Sequence, residues 1–90
     1  MKNKPTVFME KALKEIGYRY KVIDSELCGY KKLKNHDIEI SNMNNNKQKN
    51  INWNVYVWEN SPRFMIVERH CGIKSIGELK QVLSDIEEKY

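Results

Sequence analysis

Between residues 53 and 67 the chain places apolar side chains on both parities. Trp53, Val55 and Val57 alternate with Tyr56 and Trp58. After Asn60, Ser61 and Pro62, Met65 and Val67 alternate with Phe64 and Ile66. A strand sends successive side chains to opposite faces. The pattern therefore predicts a hairpin, 53–59 paired with 63–70, that is apolar on both sides. One side would hold Trp53, Val55, Val57, Met65 and Val67, the other Tyr56, Trp58, Phe64 and Ile66. A small sheet needs one apolar face for its core. The second must be covered by something or must bind something.

The flanking segments change period. Residues 5–16 read as a helix: Pro5 suits a first turn, Phe8, Met9, Ala12, Leu13 and Ile16 recur at helical spacing, and Gly17 is a helix stop. From Tyr18 to Ile23 the chain alternates, with Tyr18, Tyr20 and Val22 on one side and Arg19 and Lys21 on the other. Residues 27–33, interrupted by Gly29, fit a second strand or a loop. Residues 37–40 form a short alternating strand. The Asn-rich run 41–52 has Met43 as its core-type residue and reads as a mobile polar loop between antiparallel strands. Ser75 and Glu78 have capping-box spacing. Ile76, Leu79, Val82, Leu83, Ile86 and Tyr90 then trace the apolar stripe of a helix over 75–89.

The expected fold is α+β, with residues 1–90 forming a single domain. An N-terminal helix, a four- to five-stranded antiparallel meander sheet and a C-terminal helix follow in order, with the helices packed on one face of the sheet. The expected core is Phe8, Ala12, Leu13, Ile16, Tyr20, Val22, Val55, Val57, Met65, Val67, Ile76, Leu79, Leu83 and Ile86. Both parities of the sheet remain open as the face that meets the helices.

Composition narrows the function classes. Ninety residues with 40% hydrophobic and 31% charged side chains make one foldable domain. No apolar run approaches the roughly 20 residues of a membrane span. The segment Met1–Pro5 carries charge but no apolar stretch behind it, so neither export nor a membrane is expected. Cys28 and Cys71 are too few for a disulfide scaffold, and free thiols in a cytoplasmic setting are the expectation. Thirteen Lys against three Arg, with ten Asn, is the bias of AT-rich codons. It points to a low-GC bacterium, or to a phage or mobile element living in one.

Charge is uneven along the chain. Residues 1–34 carry nine Lys/Arg against four Asp/Glu, and residues 35–90 carry seven against eight. A basic first third favours anionic partners. Arg19, Lys21, Lys31, Lys32, Lys34, Lys47 and Lys49 are the candidate contacts to such a partner. Aromatic side chains on an open sheet flanked by cations can stack bases, so a nucleic-acid-binding module is one reading. Its element order is shared with the double-stranded-RNA-binding domain. That family opens its last helix on lysines, whereas Lys74 and Lys80 here flank Glu78, and the family is not assigned.

Catalytic and metal signatures are weak. Cys28, His36, His70 and Cys71 lack paired zinc-ligand spacing, because adjacent His70 and Cys71 on a strand point to opposite faces. A Cys–His pair would need an orienting group and an oxyanion hole. The four glycines are isolated, so there is no phosphate loop. No catalysis, metal or cofactor is expected. The leading expectation is a small binding protein, phage- or mobile-element-encoded, that occupies a surface on a host protein or nucleoprotein in the manner of an anti-CRISPR inhibitor. Its candidate docking residues are Tyr56, Trp58, Phe64, Ile66 and Arg63, since Trp, Tyr and Arg are enriched at interface hot spots. A homodimer formed through the same face is a further reading.

Overall fold

Five antiparallel strands lie side by side in chain order, each joined to the next: β1 (Arg19–Ile23), β2 (Glu26–Lys32), β3 (His36–Ser41), β4 (Trp53–Glu59) and β5 (Met65–Ile73). Helix α1 (Val7–Ile16) precedes them and α2 (Ile76–Lys89) follows, both on one face. The α+β meander expected from the sequence is thus the fold. The computed structural model describes residues 4–45, 49–60 and 64–90.

Local sequence fixes the element ends. Thr6 caps α1, its Oγ1 accepting the Met9 N–H at 3.1 Å, so Pro5 sits just before the cap. Gly17 closes the helix in the left-handed region at φ 77° and donates its N–H to the Leu13 carbonyl. Ser75 caps α2 through the Glu78 N–H at 3.1 Å, and the Glu78 carboxylate reaches back to the Lys74 N–H at 2.9 Å. Asp24 and Ser25, both with positive φ, make the two-residue turn of the β1–β2 hairpin, where such a conformation matches strand twist.

The core lies between the sheet and the helices. Trp53, Val55 and Val57 of β4, with Ile38 and Ile40 of β3, are fully buried there beneath Met9, Leu13, Leu79, Leu83 and Ile86. This settles which parity of the hairpin faces inward. Gly29 on β2 makes room for α1 and the Met43 side chain: a Cβ there would lie 2.9 Å from Met43 Sδ, 3.0 Å from Leu13 Cδ2 and 3.2 Å from Ile40 Cβ. Burial of about fifteen apolar side chains is the main stabilising term, at roughly 1.5–3 kcal/mol for each large one.

Five expected core residues lie elsewhere. Phe8 sits at the margin of the α1 stripe, 53% exposed, with its ring 5.9 Å from that of Trp53. Tyr20 and Val22 share the helix-side face but belong to edge strand β1, which is paired with β2 along one side, and remain largely exposed. Met65 keeps the helix-side parity, paired with Glu59, but begins edge strand β5 and remains largely exposed, while Val67 is displaced by a bulge: Val57 pairs with Glu68 and Trp58 with Ile66, leaving Val67 as the extra residue. A bulge switches the parity of the strand that carries it. Glu68 and His70 therefore face the helix side, opposite Val57 and Val55. A second irregularity, with Gly72 at φ 73°, restores Ile73 to the core opposite Trp53. Gly72 also donates its N–H to Asn54 Oδ1 at 3.2 Å.

The polar pair left on the inner side by the bulges is satisfied by the end of α2. Glu68 accepts from Lys89 Nζ and Tyr90 Oη, each at 2.9 Å, and from His70 Nε2 at 2.6 Å. The Lys89 hydrogen bond, followed by those from His70 and Tyr90, outweighs burial and holds the Glu68 pKa down at about 2. His36 stacks against Tyr90 with ring centroids 4.3 Å apart.

The Asn-rich segment begins anchored. Met43 is buried, and Asn44 accepts the Thr6 N–H at 2.7 Å while donating to the Lys4 carbonyl at 3.0 Å. These bonds draw the segment onto α1, on the helix side of the sheet. The centre of the loop, 46–48, lies outside the described residues.

Candidate functional site

Cross-strand partners in a sheet share a face, so the register defines what the uncovered side displays. One rung runs across all five strands: Arg19 opposes Tyr30, Tyr30 opposes Glu39, Glu39 opposes Tyr56, and Tyr56 opposes Arg69. The order is cation, phenol, carboxylate, phenol, cation. The neighbouring rung is Lys32, Asp37, Trp58 and Ile66. Both rungs lie on the side opposite Val55 and Val57, away from α1 and α2.

Glu39 is the centre of this face. It is a carboxylate on the middle strand and only 8% exposed. Burying such a group demands hydrogen bonds, and two of its neighbours supply them. The Trp58 indole N–H donates to Oε1 at 2.8 Å, and the Cys28 thiol lies 3.5 Å from Oε2. The Trp58 ring is thereby fixed edge-inward, leaving its face for other contacts. Burial first, then the Glu26 and Glu39 charges, push the Cys28 thiol far above its ordinary pKa. That is the reverse of what an activated nucleophile needs.

Tyr30 is buried on the same face. Lys21 Nζ lies 4.6 Å from the centre of its ring and Arg19 Cζ 5.9 Å, distances at which a cation is attracted to the ring quadrupole. The Tyr30 hydroxyl is shifted upward, by burial first and then by the charge and hydrogen bond of Asp37, against a smaller opposing effect of Arg19. Asp37 also accepts from Asn60 Nδ2 at 3.2 Å.

Together these groups line a cleft of about 300 Å³ at one end of the face. Lys21 and Ile23 come from edge strand β1, while Phe64 comes from the approach to β5 at the opposite edge. Residues near both edges can line one cleft because this face is concave. Phe64 is 67% exposed and holds φ at 53°, a left-handed conformation that costs a non-glycine residue roughly 1–2 kcal/mol.

The expected docking residues are therefore brought together. Tyr56, Trp58 and Ile66 share the uncovered face and are half-buried, with Phe64 at the cleft. Arg63 lies outside the described residues. The expected basic set is divided by the fold. Arg19, Lys21 and Lys32 belong to the uncovered face. Lys31 belongs to the helix side, 3.3 Å from Glu87 and over the Tyr18 ring. Lys34 is exposed in the β2–β3 turn. Lys49 lines a separate cleft with Phe8 and Met43, and Lys47 lies outside the described residues. Glu39, Asp37, Tyr30 and Arg69 complete the face. The alternation of residues 37–40 put Asp37 and Glu39 on one side, but only the register shows which side and what opposes them.

Cys28 and His36 are held by different neighbours. Cys28 lies on the concave face, whereas His36 stacks on Tyr90 beside the helices. Both cysteines are free. Among the described residues no group of three His, Cys, Asp or Glu side chains is placed to hold a metal ion, and no helix is long and apolar enough to cross a membrane. Comparisons with protein-family models, curated proteins and solved structures give no match to this chain.

Proposed function

We propose that this chain is a non-catalytic binding protein that docks a protein, or the protein part of a nucleoprotein, on its concave sheet face. The observation that carries the reading is the position of Tyr56, Trp58, Phe64 and Ile66 on the side that neither helix covers. Large amphipathic rings held in place by neighbours give contact area at low entropic cost, which is why they serve as hot spots. The charge arrangement favours a protein over a nucleic acid. A phosphate backbone laid along the Arg19–Arg69 rung would cross Glu39 at its midpoint, and Lys31 and Lys49 are turned away from it. The AT-rich coding bias supports a phage or mobile element as the setting. There such a module would inhibit host defence by occupying a subunit interface or channel, as anti-CRISPR proteins do.

The test is capture from a host lysate by the tagged chain, with and without nuclease, and by the Tyr56→Ala/Phe64→Gly variant. The reading expects a captured protein that survives nuclease and moderate salt and is lost with the variant. Capture that disappears with nuclease, and falls steeply with salt as counterion release requires, would instead favour nucleic acid. A dimer in sedimentation that the same variant dissociates would favour self-association.

A further inference from the structure

The cleft at the end of the concave face has the reverse charge of the molecule around it. The chain carries a net charge of +4, yet the described lining brings the carboxylate residues Asp24, Asp37 and Glu39 together with Lys21. The walls between these carboxylates are the aromatic rings of Tyr30, Trp58 and Phe64. We propose that this cleft receives an arginine side chain of the protein partner, stacked on the aromatic walls and paired with Asp37 and Glu39. The inference rests on the protein-docking reading and names the chemistry of what is docked.

Three observations carry it. Aromatic faces beside carboxylates attract organic cations, and a guanidinium combines planar stacking with forked hydrogen bonding to a carboxylate. The chain already uses one wall in this way, since Lys21 and Arg19 lie over Tyr30. Acceptor capacity remains on the floor of the cleft: an ionised carboxylate offers about four lone-pair sites, and at Glu39 the Trp58 and Cys28 contacts engage one oxygen each. A volume of about 300 Å³ is at the small end of ligand pockets, which suits one long side chain. Phe64 adds a functional signal, being an exposed ring held in a strained backbone conformation at the cleft mouth. Strain of this kind points toward a role outside internal packing.

The experiment is an NMR titration of the whole chain, following the Trp58 indole N–H with that of buried Trp53 as internal reference. The probes are the capped tripeptides Gly-Arg-Gly and Gly-citrulline-Gly, which match in shape and differ in charge. The expected result is a saturable shift of the Trp58 resonance with the arginine probe, at least about tenfold weaker with citrulline. It should also be roughly threefold or more weaker in Asp37→Asn and diminished in Phe64→Gly, which leaves the Asp37 contacts in place. No response, an equal response to citrulline, or a response that both variants leave unchanged would overturn the inference. Failure of the two proposals is distinguishable. A partner captured through Tyr56 and Phe64 with no arginine response refutes the cleft alone. An arginine response with no face-dependent partner refutes the docking reading alone.

Discussion

The indole N–H of Trp58 and the carboxylate of Glu39, 2.8 Å apart across the β3–β4 ladder, join a buried charge-bearing group to the aromatic surface above it. Neither residue is explained by the other's absence: without Glu39 the indole N–H loses a buried partner, and without Trp58 the carboxylate loses its main donor. Trp58→Phe should therefore destabilise the fold by about 1–3 kcal/mol, the usual cost of stranding a buried polar group. Combining it with Glu39→Gln should cost less than the sum of the two single changes. Urea unfolding of the four proteins in the double-mutant cycle measures the coupling, and simple additivity would show that the bond contributes little.

Gly29 is required by space. Its absent Cβ would sit 2.9 Å from Met43 Sδ, 3.0 Å from Leu13 Cδ2 and 3.2 Å from Ile40 Cβ. The first two atoms end flexible side chains, but the third is a stiff branch point on the adjoining strand. Gly29→Ala should cost about 1–3 kcal/mol by overpacking, read as a lower thermal midpoint. A variant as stable as the parent would mean that α1 can lift from β2 without penalty.

Stability should fall in acid through Glu68. Its folded pKa, about 2, lies below the ordinary carboxylate value of 4.5. The stabilisation is thus fully present above about pH 4.5 and lost as pH drops toward 2. Lys89, the largest cause, is exposed, so screening limits the effect to about 1–2 kcal/mol. Between pH 5 and pH 2.5 the parent should lose more unfolding free energy than Glu68→Gln. Parallel losses would remove Glu68 from the acid response.

How far this fold can be read from the chain depends on which physical signal each element uses. Both helices are legible because apolar spacing and caps agree, as at Ser75 and Glu78. The meander order follows from short connections. The interior of β5 is not legible, because parity holds only while register holds, and the irregularity at Val67 brings Glu68 and His70 to the inner side in place of the alternation that Met65 begins. The burial of Leu27, Ile38 and Ile40 also depends on their central position in the sheet, which composition does not encode. At the candidate site the doubly apolar hairpin is visible in sequence, and Tyr56, Trp58 and Ile66 do share one face. The central carboxylate is not visible, since Glu39 becomes a buried neighbour of Trp58 only through pairing across strands.

Phe64 should separate stability from binding. Glycine accepts φ 53° without the roughly 1–2 kcal/mol that a side chain pays in the left-handed region, and the largely exposed ring contributes little to packing. After the extra unfolded-state entropy of glycine, Phe64→Gly should be more stable by up to about 1 kcal/mol, yet should capture less partner. Loss of stability in thermal melts, or unchanged capture, would assign the ring a structural role instead.

The most direct measurement is hydroxyl-radical footprinting of the chain alone and in complex with its captured partner. Docking through the concave face predicts that Tyr56, Trp58 and Phe64 become protected while Val7 and Phe8, exposed on the helix side, label as before. Protection of Val7 and Phe8 with undiminished labelling of Trp58 and Phe64 would contradict it.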